Sequence, residues 1–121
     1  MPGKIALPMS ELKDSLDSFA ESCNANERLM AMIKDWNRVL DIYASDLDEH
    51  QTLITSGGAV SVEAGAPALS DMVVKATSEI LTEVFYGETS PNEPYNDGTL
   101  RIEGVEEDIV RLDFVIAMLW E

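Results

Sequence analysis

Residues 78 to 104 read S-E-I-L-T-E-V-F-Y-G-E-T-S-P-N-E-P-Y-N-D-G-T-L-R-I-E-G, and this run decides the fold. Ser78 is a helix N-cap by residue type, and Ile80, Leu81, Val84 and Phe85 behind it fall on one helical stripe. Gly87 supplies the left-handed residue that closes such a helix. A polar crossing from Glu88 to Asp97 follows, interrupted by Pro91 and Pro94. Gly98 then turns the chain into a short strand from Thr99 to Glu103, with Leu100 and Ile102 on one face. Beyond Gly104 the chain from Val105 to Trp120 contains neither Gly nor Pro and begins with Glu106, Glu107 and Asp108, acids that suit the positive end of a helix dipole.

Working outward, Leu12, Leu16, Phe19 and Cys23 recur at helical spacing behind Ser10, a residue suited to cap helix one. A second helical segment opens at Asn24 or Asn26, with Leu29, Ile33 and Trp36 on its apolar face. From Val39 to Ala44 the period changes to two, which puts Leu40, Ile42 and Ala44 together. Asp46 to His50 reads as a hairpin turn. Gln51 to Thr55 and Ala59 to Glu63 read as strands joined at Ser56-Gly57-Gly58, and Ser70 to Thr77 as a fourth strand with Met72, Val74 and Ala76 alike in direction. The expected order is two helices, four strands in an antiparallel meander, a helix, a crossing, a fifth strand and a last helix. Segregated elements of this kind give an α+β fold, a five-stranded, mostly antiparallel sheet covered on one face by helices. All 121 residues fit one domain.

The helix closed by Gly87, the Ser90-Pro91 step, Tyr95, and the G-x-L-x-I-x-G of Gly98, Leu100, Ile102 and Gly104 resemble the closing pattern of sterol carrier protein type 2 domains. The resemblance extends from about Leu12 to Leu119, with V-L-D-I-Y and S-G-G-A-V-S-V-E-A-G in matching places. It implies a lipid held in an apolar cavity between the sheet and its covering helices, with the C-terminal helix as a lid. Pro94 departs from the pattern, standing where relatives carry a helix-compatible residue, and is expected to shorten the small helix there.

Composition narrows the function classes. The chain is 45% hydrophobic and 26% charged, enough to own a core. Its 23 acids against 8 bases leave a net charge of −15, which repels phosphate backbones and anionic headgroups. Nucleic-acid binding and stable membrane insertion are therefore not expected, and the acidic surplus reads as a solubilising surface. Cys23 is the only cysteine, which fits a reducing cytoplasm. The start M-P-G-K-I-A-L-P lacks an apolar run long enough for a signal peptide, and Leu119-Trp120-Glu121 is no peroxisomal tripeptide. A prokaryotic, cytoplasmic protein is expected.

No catalytic constellation stands out. Glu106 and Glu107 are explained by their helix start. Asp46, Asp48, Glu49 and His50 match no zinc or EF-hand spacing and read as a solvated turn. His50 is the only histidine, and no G-x-S-x-G elbow accompanies it. Cys23 sits on an apolar stripe, as buried filler does. Ser56-Gly57-Gly58 lacks the residues of a phosphate cradle. The expectation is a non-enzyme without metal or cofactor.

Apolar surface is what remains. The last helix carries Val105, Ile109, Leu112, Ile116 and Leu119 on one stripe and Val110, Phe114, Val115, Met118 and Trp120 off it. Besides simple burial in the core, an internal ligand, a second subunit or a groove made by the first two helices could cover the surplus. With the resemblance, the expected function is carriage of a lipid or other hydrophobic molecule, such as a fatty acid, acyl-CoA, sterol or isoprenoid. By periodicity its pocket would be lined by Trp36, Leu40 and Ile42, by Met72, Val74, Leu81 and Phe85, and by Leu100, Ile102, Leu112, Ile116 and Leu119. The crossing from Glu88 to Asp97 would form the portal. The alternative is an interaction module whose C-terminal helix pairs with another protein or with a second copy.

Overall fold

The computed structural model describes residues 11–120; the expected cap Ser10 and both chain ends lie outside them. Two helices, α1 (Glu11–Asn24) and α2 (Glu27–Met32), precede strands β1 (Arg38–Ala44), β2 (Glu49–Ser56), β3 (Ala59–Ala64) and β4 (Met72–Ala76). Then come α3 (Ser78–Tyr86), the short α4 (Asn92–Asp97), β5 (Arg101–Glu103) and α5 (Glu106–Trp120). The five strands form one sheet in the order β3-β2-β1-β4-β5.

That order corrects the expected four-stranded meander. β4 does not add to β3 but lies parallel to β1, while every other neighbouring pair is antiparallel. Residues 65–71 carry the chain back across the sheet, as a parallel pair requires. Asp71 locks the docking through both backbone groups of one residue: its N–H donates to the Val39 carbonyl, and its carboxylate accepts from the Val39 N–H, both at 2.8 Å. β1 thereby becomes the central strand.

Register aligns the apolar residues. Leu40 sits beside Met72 and Leu53, and Ile42 beside Val74, which in turn faces Ile102. α1 and α3 cover this face through Leu12, Leu16, Phe19, Cys23, Leu81 and Phe85, all buried. Phe19 and Phe85 meet edge to face, with ring centroids 5.1 Å apart. The other face mixes half-buried Val39, Ile54 and Val73 with polar groups: His50 stacks on Tyr43 and bonds Asp41 at 2.8 Å, and Lys75 lies over the Tyr43 ring. Asn24 closes the β3 edge, its amide exchanging two 2.8 Å hydrogen bonds with the backbone of Val60.

Three local expectations change. α2 ends at Met32, so Trp36 lies in the turn before β1 and not on a helix. It is still buried, because Asp108 of α5 satisfies its indole N–H. The N-cap of α3 is Thr77, which accepts from Ile80 N–H, while Ser78 is the first helical residue. Asp46 reinforces the start by accepting from the Ser78 N–H at 2.7 Å and its hydroxyl at 2.9 Å. Finally, the crossing contains α4, with Pro94 in its first turn, where a missing N–H costs no intrahelical bond.

Candidate functional site

Between α3, α4 and α5, at the β4–β5 end of the sheet, lies a cavity of about 360 Å³. Its position follows from the ends of the elements around it. α3 presents Leu81, Val84 and Phe85 at i, i+3 and i+4. The sheet supplies the cross-strand pair Val74 and Ile102, with Leu100 just before β5. A hydrogen bond of 2.9 Å from Leu100 N–H to the Pro94 carbonyl folds α4 back over that strand. α4 and its cap contribute Pro91, Asn92 and Tyr95. From α5 come Ile109, Leu112 and Ile116, together with Glu106, Val110 and Asp113.

Burial separates floor from mouth. Val74, Leu81, Phe85, Leu100 and Leu112 are buried and form the floor. Asn92, Tyr95, Glu106, Val110 and Asp113 are exposed and form the mouth, between α4 and the start of α5. Glu106, Val110 and Asp113 stand at i, i+4 and i+7, so one stripe of α5 makes the rim. A second cavity of about 330 Å³ adjoins the first and shares Pro91, Asn92, Asp113 and Ile116 with it.

α5 is pinned at both ends. Near its start, Asp108 accepts from Trp36 Nε1 at 2.9 Å and from Arg38 Nε at 3.0 Å. Burial pushes the Asp108 carboxyl up, but those two hydrogen bonds and the charges of Arg38 and Arg111 outweigh it and hold the group below the usual carboxylate range. The same ion pair raises Arg38. At the other end the Trp120 ring lies so close to Gly87 that a Cβ there would collide with it.

Seven of the twelve residues assigned to the pocket by periodicity line this cavity: Val74, Leu81, Phe85, Leu100, Ile102, Leu112 and Ile116. Leu40, Ile42 and Met72 belong to the buried core beside it, Trp36 is held by Asp108, and half-buried Leu119 packs against the core from the end of α5. The expected portal, Glu88 to Asp97, contains the mouth residues Asn92 and Tyr95, but sequence reasoning left out the α5 side of the mouth, Glu106, Val110 and Asp113. Their common signal is the i, i+4, i+7 spacing of one α5 stripe, acidic at Glu106 and Asp113, which acquires meaning only once α4 is placed opposite.

Among the described residues, no three His, Cys, Asp or Glu side chains converge to hold a metal. His50 and Asp41 lie on the opposite sheet face. Among the described residues, no helix is long and apolar enough to cross a membrane.

The model of the SCP-2 sterol transfer family matches residues 17–109. No curated protein matches the chain significantly in sequence. Solved structures resemble it at low identity. A UbiJ-SCP2 ubiquinone synthesis protein is 13% identical with a TM-score of 0.71, covering 89% of this chain and 94% of that one. The sterol carrier protein domain 2 of Helicoverpa armigera is 11% identical with a TM-score of 0.71, covering 98% and 95%. The inverting sec-alkylsulfatase Pisa1 from Pseudomonas sp. is 17% identical with a TM-score of 0.61; 76% of this chain is covered, but only 14% of the sulfatase. These likenesses bear on the fold alone.

Proposed function

We propose a carrier function from one premise: the chain belongs to the SCP-2 sterol transfer family, whose model spans most of its length. In this reading the protein binds a lipid in the cavity beneath α5 and performs no bond chemistry on it. The observation that supports it best is the cavity itself, which falls near the lower end of the range of about 300–1,000 Å³ that ligand pockets occupy. Its floor is aliphatic and aromatic, so the driving force is removal of methylenes from water, about 0.8 kcal/mol each. Roughly ten buried methylenes then contribute about 8 kcal/mol, the scale of micromolar binding before ordering costs are subtracted.

Longer chains need more room, and the adjoining cavity offers it once Pro91 and Asn92 move from Asp113 and Ile116. The α4 segment is the portal in this proposal, and the cytoplasm is the proposed compartment. Pairing of α5 with a second copy is not favoured: Leu112, Val115 and Ile116 are buried in their own chain and Val110 borders the cavity, while Phe114 and Trp120 stay exposed.

Native mass spectrometry of the purified protein, with extraction and identification of released lipid, tests the reading alongside uptake of a neutral fluorescent sterol. Stoichiometric lipid or saturable uptake supports it. An empty protein that takes up neither the sterol nor a fatty alcohol sinks it.

A further inference from the structure

The chemistry of the cavity mouth narrows the ligand class, on the premise that the cavity holds a lipid. Among the described residues only two charged ones line the cavity, Glu106 and Asp113, and both are exposed at the rim. The other polar mouth residues are Asn92 and Tyr95. Among the described residues no Lys, Arg or His stands in the wall.

The nearby cations are turned elsewhere. Arg111, on the same helix, lies over the Trp36 ring and reaches the Met32 carbonyl. Arg38 is paired with Asp108. Arg101 alternates with the cavity residue Ile102 and so faces the opposite side of the sheet, where Lys75 is its cross-strand neighbour. The whole-chain charge of −15 adds to the local field instead of opposing it.

We infer that this cavity selects lipids with an uncharged, hydrogen-bond-donating head, such as long-chain or polycyclic alcohols, and rejects those with an anionic head. A hydroxyl at the mouth donates to the Glu106 or Asp113 carboxylate while its hydrocarbon fills the floor. A carboxylate or phosphate at the same place meets two like charges with no cation among the described residues to offset them, which costs affinity without altering the apolar contacts.

The test is calorimetric titration of the full chain with dodecanol and with dodecanoate, both below their aggregation limits at neutral pH and at low and high salt. The expected result is at least about tenfold tighter binding of the alcohol, equivalent to about 1.4 kcal/mol, narrowing at high salt as the rim charges are screened. The double variant Glu106→Gln with Asp113→Asn lowers the alcohol-to-acid preference by about tenfold, and Glu106→Lys with Asp113→Lys inverts it. Both positions are exposed, so circular dichroism is expected to show an intact fold. Equal or tighter binding of dodecanoate to the unaltered protein overturns the selectivity while leaving the carrier reading standing. Failure of both ligands to bind overturns the carrier reading and this inference with it.

Discussion

Trp36 Nε1 donates a 2.9 Å hydrogen bond to Asp108 Oδ1, joining residues 72 positions apart and fixing the start of α5 against the entry to β1. Because Asp108 also takes Arg38 Nε, its removal strands a buried indole N–H and unpairs a guanidinium. Arg38 is part-exposed and recovers water, so the indole dominates the loss. Asp108→Ala is expected to destabilise the protein by about 2 kcal/mol, the scale of a hydrogen bond to a charged group. Urea unfolding followed by tryptophan fluorescence measures it, and a loss below about 0.5 kcal/mol, the scatter of ordinary surface substitutions, would contradict the anchor.

Acid should release the same anchor. The Asp108 carboxyl lies below its ordinary value of 3.8 in the folded protein, so near that pH the unfolded chain binds more protons than the folded one. The stabilising contribution is therefore complete above the ordinary value and is lost as pH falls through the lower, folded one. Asp46, held down first by its hydrogen bond from the Ser78 backbone, and Asp97, held down by Thr99, lose theirs in the same direction. Below about pH 4 the unaltered protein should lose stability more steeply than Asp108→Asn. Parallel curves in that window would remove Asp108 from the explanation.

Gly87 holds α3 closed at φ 80° and also makes room for Trp120. Gly87→Ala meets both constraints at once. It is expected to cost about 1–2 kcal/mol, since an alanine is strained at positive φ, and to swing the part-exposed Trp120 ring into water. Increased acrylamide quenching with a lower melting temperature is the expected pair of observations. A destabilised variant whose tryptophan quenching is unaltered would mean that Trp120 does not rest on this glycine.

Phe85 is shared between the core and the cavity. Phe85→Ala removes the edge contact with Phe19 and part of the cavity floor, with an expected loss of about 3–5 kcal/mol. If lipid fills the enlarged cavity, the melting temperature of the variant should rise more on adding ligand than that of the unaltered protein. Equal ligand-induced shifts would place the ligand elsewhere.

Cys23 is fully buried, and burial pushes its thiol up to about 12. At neutral pH it is un-ionised and shielded, so iodoacetamide should label it only after denaturation. Mass spectrometry of native and urea-treated samples checks this; rapid native labelling would show that α1 opens readily.

The stretch from Ser78 to Gly104 made the end of the fold legible because its signals are local. Gly87 and Gly98 do take the left-handed conformation, and α5 begins one residue after the expected start. The apolar stripes of α1 and α3 likewise become the covered face, since helical spacing is a property of one segment alone. Val39 to Ala44 and Met72 to Ala76 were readable as strands for the same reason, by alternation.

Which strand lies beside which was not written in that alternation. β4 shows the same pattern whether it follows β3 or crosses to β1, and the choice was made by the Asp71 clamp on Val39 and by the burial of β1 on both flanks. Trp36 looked like the end of a helical face and is instead held by a carboxylate from the far end of the chain. The mouth has the same character: Glu106 and Asp113 are ordinary helix acids until α4, folded back through Leu100 and Pro94, gives them an apolar cavity to border. Sequence determined most of the elements and their buried faces, because those depend on neighbours a few residues away. Tertiary structure alone decided the pairing of β1 with β4, the anchor on Asp108 and the charge at the mouth, because each arises from groups that meet only when distant segments pack.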